Sequence, residues 1–175
     1  TPPAGARGAA RRTVALFGRA NSGKTSLLMH LTGSLQRPVN FPGTSVECVE
    51  SRVRVDGVEL RVVDLPGVVS LTPDSRDERL AVDFVRAPKT RPDLVCFVLD
   101  AGKLAVELRL LAELRALGLP VVVAVTKVDV AAAEGFPIDV DRLQRALGLP
   151  LLVVDGARGH GVDGHPRRPE RARRG

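Results

Sequence analysis

The 175 residues contain no tryptophan, no tyrosine, one methionine, two cysteines and three histidines. Cys48 and Cys96 each fall inside an expected strand and have no CxxC partner or metal-ligand spacing, so they read as small buried hydrophobes in a reducing compartment. His30, His160 and His165 together with these cysteines make no metal cluster. Apolar runs such as 121–125 have the length of a strand, and none is long enough for a bilayer, which excludes direct membrane insertion by this segment. No signal-peptide pattern, internal repeat or second domain is visible. The start at Thr1, without a Met, fits an excised segment as well as a natural N-terminus.

One sign of charge is scarce where it would matter. The formal charge of +6 suggests a nucleic-acid partner until it is mapped. Residues 1–12 carry +3 and residues 164–175 carry +4, which leaves −1 for 13–163. Basic residues confined to two low-complexity ends read as solubilising tails, and no nucleic-acid partner is expected. The chain therefore divides into a disordered leader over 1–12, one domain over 13–163, and an irregular Arg/Pro-rich tail over 164–175.

With 44% apolar and 26% charged residues, 13–163 can bury one core. Short β-branched runs alternate with helix-period segments, the pattern of an α/β fold with helices on both faces of a mostly parallel sheet. Six strands are expected at about 13–18, 46–55, 59–64, 94–99, 121–126 and 151–154, and helices at about 24–33, 77–87, 104–117 and 139–147. Asp56-Gly57 joins the second and third strands as a tight hairpin, so one edge strand runs antiparallel. Residues 36–45 read as a mobile loop. The helix that should cover the sheet after the last strand is doubtful, because His165-Pro166-Arg167-Arg168-Pro169-Glu170 has two prolines and no apolar period.

Residues Gly18, Arg19, Ala20, Asn21, Ser22, Gly23, Lys24 and Thr25 spell GxxxxGK[ST] between an expected strand and Ser26-Leu27-Leu28-Met29-His30-Leu31, in the helix expected over 24–33. In that context the loop's N–H groups and the positive helix N-terminus converge where a β-phosphate sits. Lys24 is placed to reach the β- and γ-phosphates, and the Thr25 hydroxyl to ligate Mg²⁺. Ligands of open α/β sheets lie beyond the carboxyl ends of the strands, and three further segments lie there. Asp64-Leu65-Pro66-Gly67 offers a carboxylate that can hold Mg²⁺ through water and a glycine N–H for the γ-phosphate. Thr126-Lys127-Val128-Asp129 places Asp129 to accept hydrogen bonds from the guanine N1–H and exocyclic amine, a donor pair that adenine lacks. Gly156-Ala157-Arg158 can offer a backbone N–H to the guanine carbonyl. Together they predict a guanine-nucleotide domain of Ras-like architecture that binds GTP and GDP.

Within that class the chain resembles the FeoB family of bacterial ferrous-iron transport G domains. The likeness covers about 13–163 and rests on Gly33-Ser34-Leu35-Gln36-Arg37-Pro38-Val39-Asn40-Phe41-Pro42-Gly43-Thr44-Ser45-Val46-Glu47, on Asp64-Leu65-Pro66-Gly67-Val68-Val69-Ser70-Leu71, on Asp74-Ser75-Arg76-Asp77-Glu78-Arg79-Leu80-Ala81 and on Gly135-Phe136-Pro137-Ile138-Asp139. The resemblance implies a GTPase at the cytoplasmic side of the bacterial inner membrane, regulating Fe²⁺ entry through a membrane-embedded transport domain that this chain does not contain. It places a K⁺ at Asn21, whose other reading is a loop-bracing amide, and it assigns the second Mg²⁺ hydroxyl to Ser45, with Thr44 as the alternative. Lys24, Gly67 and Asn21 would then stabilise charge during hydrolysis.

The departures from the family are as informative. Arg19-Ala20 stands where the family has Asn-Pro, Val69 replaces a Tyr, Thr126 replaces the Asn that braces the base pocket, and Gly156 replaces a Ser. Weakened guanine binding is expected from these losses. Val68 follows Gly67 where Ras-type proteins carry a water-orienting Gln, so slow turnover is expected. Glu47 and Asp74 read as ordinary exposed carboxylates. Two other functions compete: a ribosome- or RNA-associated GTPase using the Arg-rich ends, and a non-catalytic nucleotide-binding module.

Overall fold

The computed structural model describes residues 12–33, 37–40 and 47–154. The expected leader and tail lie outside the described residues, apart from Arg12. In chain order the elements are β1 (Arg12–Phe17), α1 (Lys24–Thr32), β2 (Arg37–Asn40), β3 (Glu47–Val55), β4 (Val58–Asp64), α2 (Arg76–Arg86), β5 (Leu94–Asp100), a 3₁₀ turn (Ala101–Lys103), α3 (Leu104–Arg115), β6 (Val121–Thr126), α4 (Val128–Ala133), α5 (Val140–Leu147) and β7 (Leu151–Val154). The described strands form one sheet of seven in the order β2-β3-β4-β1-β5-β6-β7. β3 pairs antiparallel with β2 and β4, and every other pairing is parallel.

The α/β architecture with a mostly parallel sheet and an antiparallel edge is therefore as expected, with a count of seven strands in place of six. The seventh is β2, inside the segment read as a loop. Pro38 and the surrounding polar residues argue against a strand, but at an edge the missing proline N–H costs no ladder bond. Val39 lies opposite Cys48 in the register and packs on the core, which holds the segment against β3. α4 was also not anticipated: its six residues are too few to show a helical period.

Strand alternation sorts the core into two layers. Ala15, Phe17, Val63, Phe97, Leu99, Val123 and Val125 face one side, where they meet Val82 and Val85 of α2, Leu110, Leu111 and Leu114 of α3 and Leu143 of α5. Leu16, Val62, Val98, Ala124 and Val154 face the other side with Leu27 and Leu28 of α1. Both cysteines are reduced. Cys48 is buried and Cys96 packs among partly buried residues of the second layer, where burial pushes its thiol up to about 12. No helix among the described residues is long and apolar enough to cross a membrane.

The central strands β1, β4, β5 and β6 all end at the same edge of the sheet, at Phe17, Asp64, Asp100 and Thr126. The crossovers that follow them gather the functional segments over that edge.

Candidate nucleotide-binding site

β1 ends at Phe17 and the chain turns through Gly18 at φ 153°. A Cβ on Gly18 would stand 2.6 Å from the Val98 carbonyl oxygen, so only glycine lets the loop lie on β5. Gly23, at φ 103°, opens α1, whose first turn carries no acidic residue to cancel its positive end. Lys24 folds back over the loop and is 7% exposed, with Nζ donating to the carbonyls of Gly18 (3.3 Å) and Arg19 (2.8 Å). Burial lowers the pKa of its ammonium, and the negative charges of Asp64 and Glu107 oppose that shift.

The segment after β4 packs directly on this loop. Leu65 N–H donates to Leu16 O (3.3 Å) and Val68 N–H to Gly18 O (3.0 Å). Gly67 lies so close that a Cβ there would stand 2.5 Å from Ala20 N. Thr25 Oγ1 donates to Asp64 Oδ2 at 2.7 Å, while Asp64 Oδ1 is buried without a hydrogen-bond partner among the described residues. Burial raises the Asp64 carboxyl pKa; the Thr25 hydrogen bond and the Lys24 charge act against it. A hydroxyl beside a buried, half-satisfied carboxylate fits the donor set of Mg²⁺ and its bound water. Ser22 Oγ is likewise buried and unpaired, so the loop holds polar atoms that protein groups do not satisfy.

The carboxyl end of β6 reaches the loop from the other side. Thr126 is buried, and its hydroxyl lies 2.6 Å from Ser22 O and 3.2 Å from Leu99 O. Its single proton goes to the nearer carbonyl. Thr126 thus lacks the amide of the Asn that the family carries at this position, and its hydroxyl ties β6 to the loop through Ser22 O. Lys127 Nζ donates to Asn21 O (2.5 Å) and to Asp100 Oδ2 (2.7 Å). Asp100 is held in turn by Gly102 N–H (3.0 Å). Asn21 and Lys127 adopt left-handed backbone conformations, at φ 60° and 57°, and Asn is among the residues that tolerate this best. The Asn21 side chain is exposed, and the loop bracing runs through its backbone carbonyl. Asp129 stands exposed in the first turn of α4.

The structure gathers residues 18–26, Asp64, Gly67, Thr126, Lys127 and Asp129 at one edge of the sheet. Ser45, Thr44 and Gly156-Ala157-Arg158 lie outside the described residues. Sequence reasoning missed Asp100 and Glu78. Asp100 ends β5, where the same strand-end rule points. The Glu78 carboxylate accepts from Val69 N–H (3.0 Å) and Asp74 N–H (3.0 Å), while Ser75 caps α2 by accepting from Glu78 N–H. The Ser75-x-x-Glu78 spacing marks that helix start. Backbone donors hold the Glu78 carboxyl below the usual carboxylate range.

This strand order, with a GxxxxGKT loop, a DxPG turn and a TKxD turn at successive strand ends, defines a P-loop G domain. The family model for ferrous iron transport protein B matches residues 12–166, and the chain belongs to that family, FeoB. It is 37% identical over 155 residues to the Fe(2+) transporter FeoB of Escherichia coli K12, covering 86% of this chain and 20% of that protein. A relative from Salmonella typhimurium is also 37% identical, over the same shares. The chain therefore spans about a fifth of the length of these curated relatives. The G domain of T. maritima FeoB superposes with a TM-score of 0.79 at 37% identity, over 87% of this chain and 92% of that one. The FeoB G-domain of Methanococcus jannaschii gives 0.74 at 35% identity, over 87% and 91%. The GMPPNP form of the T. maritima cytosolic domain gives 0.78 at 37% identity, over 87% of this chain and 60% of that one.

Proposed function

We propose that this G domain binds GTP and GDP, hydrolyses GTP slowly, and regulates Fe²⁺ uptake by a membrane-embedded transport domain at the cytoplasmic face of the bacterial inner membrane. The observation that carries the reading is the convergence of Lys24, the Thr25–Asp64 pair, Gly67 and the Thr126–Lys127 turn on one loop. The reading is supported by relatives that are Fe(2+) transporters and by related domains in GDP and GMPPNP forms.

On binding, Lys24 exchanges the Gly18 and Arg19 carbonyls for β- and γ-phosphate oxygens, while the loop's N–H groups and the positive end of α1 balance the remaining charge. Gly67 N–H donates to a γ-phosphate oxygen, and this bond strengthens as charge develops during in-line attack by water. Mg²⁺, when bound by the hydroxyls of Thr25 and Ser45 (or Thr44) and through water by Asp64, neutralises phosphate charge; K⁺ at Asn21 adds to this. Asp129 selects guanine, with a backbone N–H of 156–158 on the guanine carbonyl. Val68 is fully buried, so no side chain follows Gly67 to orient the water, and turnover is slow.

Single-turnover GTP hydrolysis in K⁺ and in Na⁺ tests this. Slow phosphate release, faster in K⁺, is expected. Release in neither salt would replace the enzyme by a non-catalytic nucleotide-binding module.

A further inference from the structure

Helix α3 lays Leu110, Leu111 and Leu114 on the core, with buried Glu107 one turn earlier in the same stripe. Glu113 lies beside that stripe and is half-buried. Its Oε2 accepts the Leu71 N–H at 2.7 Å across 42 residues of chain, while Oε1 lies 3.8 Å from Arg109 Nε one turn earlier. Leu71 itself is buried in the core that α3 faces. A short hydrogen bond from a backbone N–H to a partly desolvated carboxylate is of the stronger, charge-assisted kind.

Leu71 belongs to the stretch that carries Gly67. No helix or strand runs between the end of β4 at Asp64 and the start of α2 at Arg76, so no regular ladder of backbone bonds sets its shape. Other groups set it. The phosphate loop holds its beginning through Val68 N–H and Gly18 O, and the Glu78 carboxylate of α2 holds Val69 N–H and Asp74 N–H. Ser70 Oγ accepts the Thr72 N–H at 2.9 Å, which closes a local turn. Between Val69 and Asp74 the tie to a helix is the one that Glu113 makes from α3.

We infer that Glu113 is a positioning residue for the γ-phosphate: it fixes the middle of 67–74 on α3 before nucleotide arrives, so that the Gly67 N–H is already in place and GTP is favoured over GDP. The inference rests on the proposed nucleotide site. Its experiment measures the Kd for GMPPNP and for GDP, and hydrogen exchange at the Leu71 amide, in the parent chain, E113A and E113Q. E113A should bind GMPPNP about fivefold more weakly or worse, with the Kd for GDP within about twofold of the parent. Its Leu71 amide should exchange faster. E113Q keeps an acceptor oxygen and should restore most of the preference for GMPPNP. An unchanged ratio of the two affinities in E113A would overturn the positioning role even if its melting temperature fell, because a merely structural bond would weaken both nucleotides alike. In the parent the Leu71 amide should exchange slowly, and fast exchange there would overturn the tie without recourse to any variant. Failure of the parent chain to bind GDP would instead overturn the nucleotide site.

Discussion

Gly67→Ala is the sharpest perturbation of the phosphate site. A Cβ at position 67 would stand 2.5 Å from Ala20 N, 2.7 Å from Ala20 Cα and 2.9 Å from Ala20 Cβ. Ordinary contacts begin near 3.4 Å, so the 64–69 segment and the loop must separate by about 1 Å, and two of the three clashing atoms are backbone. That separation pulls on the Val68 N–H to Gly18 O bond and moves the Gly67 N–H away from the position proposed for the γ-phosphate. A displacement of ~1 Å in a positioning group costs on the order of 100-fold in rate. GDP lacks the γ-phosphate and loses little. Single-turnover hydrolysis should therefore fall about 10- to 100-fold in G67A, while the Kd for GDP measured by calorimetry changes by less than about threefold. Unchanged hydrolysis would refute the role of the Gly67 N–H. An equal loss of GDP affinity would show that the alanine simply wrecks the loop.

Thr126→Val keeps the shape and removes the donor from Ser22 O; urea unfolding should show a loss of ~1–3 kcal/mol, and nucleotide affinity should fall with it. Burial pushes the Glu107 carboxyl from 4.5 up to about 7, so on raising the pH the unfolded chain gives up this proton first and the folded state loses stability between those values. Stability curves of the parent and E107Q should therefore converge near pH 4.5 and separate as pH approaches 7, with the parent falling relative to the variant; parallel curves would refute a buried, titrating Glu107. Asp129→Ala should lower GTP affinity at least about 10-fold and leave ATP affinity unchanged, as displacement titrations can read.

Much of this architecture was legible because the signals were local. The alternation of apolar runs and helix periods located six strands, and Asp56-Gly57 placed the hairpin at which β3 reverses. β2 was hidden because an edge strand with a proline has no composition of its own and depends on Val39 finding the core. α4 was hidden by its length. In the site, the glycine positions and Lys24 followed from a contiguous motif. The lattice of bonds that fixes it did not: Thr126 meets Ser22 across 104 residues, and Lys127 meets Asp100 across 27, contacts that only strand order creates. Glu107 was invisible for the opposite reason, since a glutamate in a helix reads as a solvated residue until its stripe is known to face the core.

The central claim is that one loop binds a guanine nucleotide, and titration of the chain with GDP, GTP and ATP in the presence of Mg²⁺ by calorimetry tests it most directly. The arrangement predicts one site for GDP and GTP and markedly weaker binding of ATP, because adenine cannot offer Asp129 two donors. Equal affinity for ATP would contradict the role given to Asp129, and no binding of any of the three would contradict the site itself.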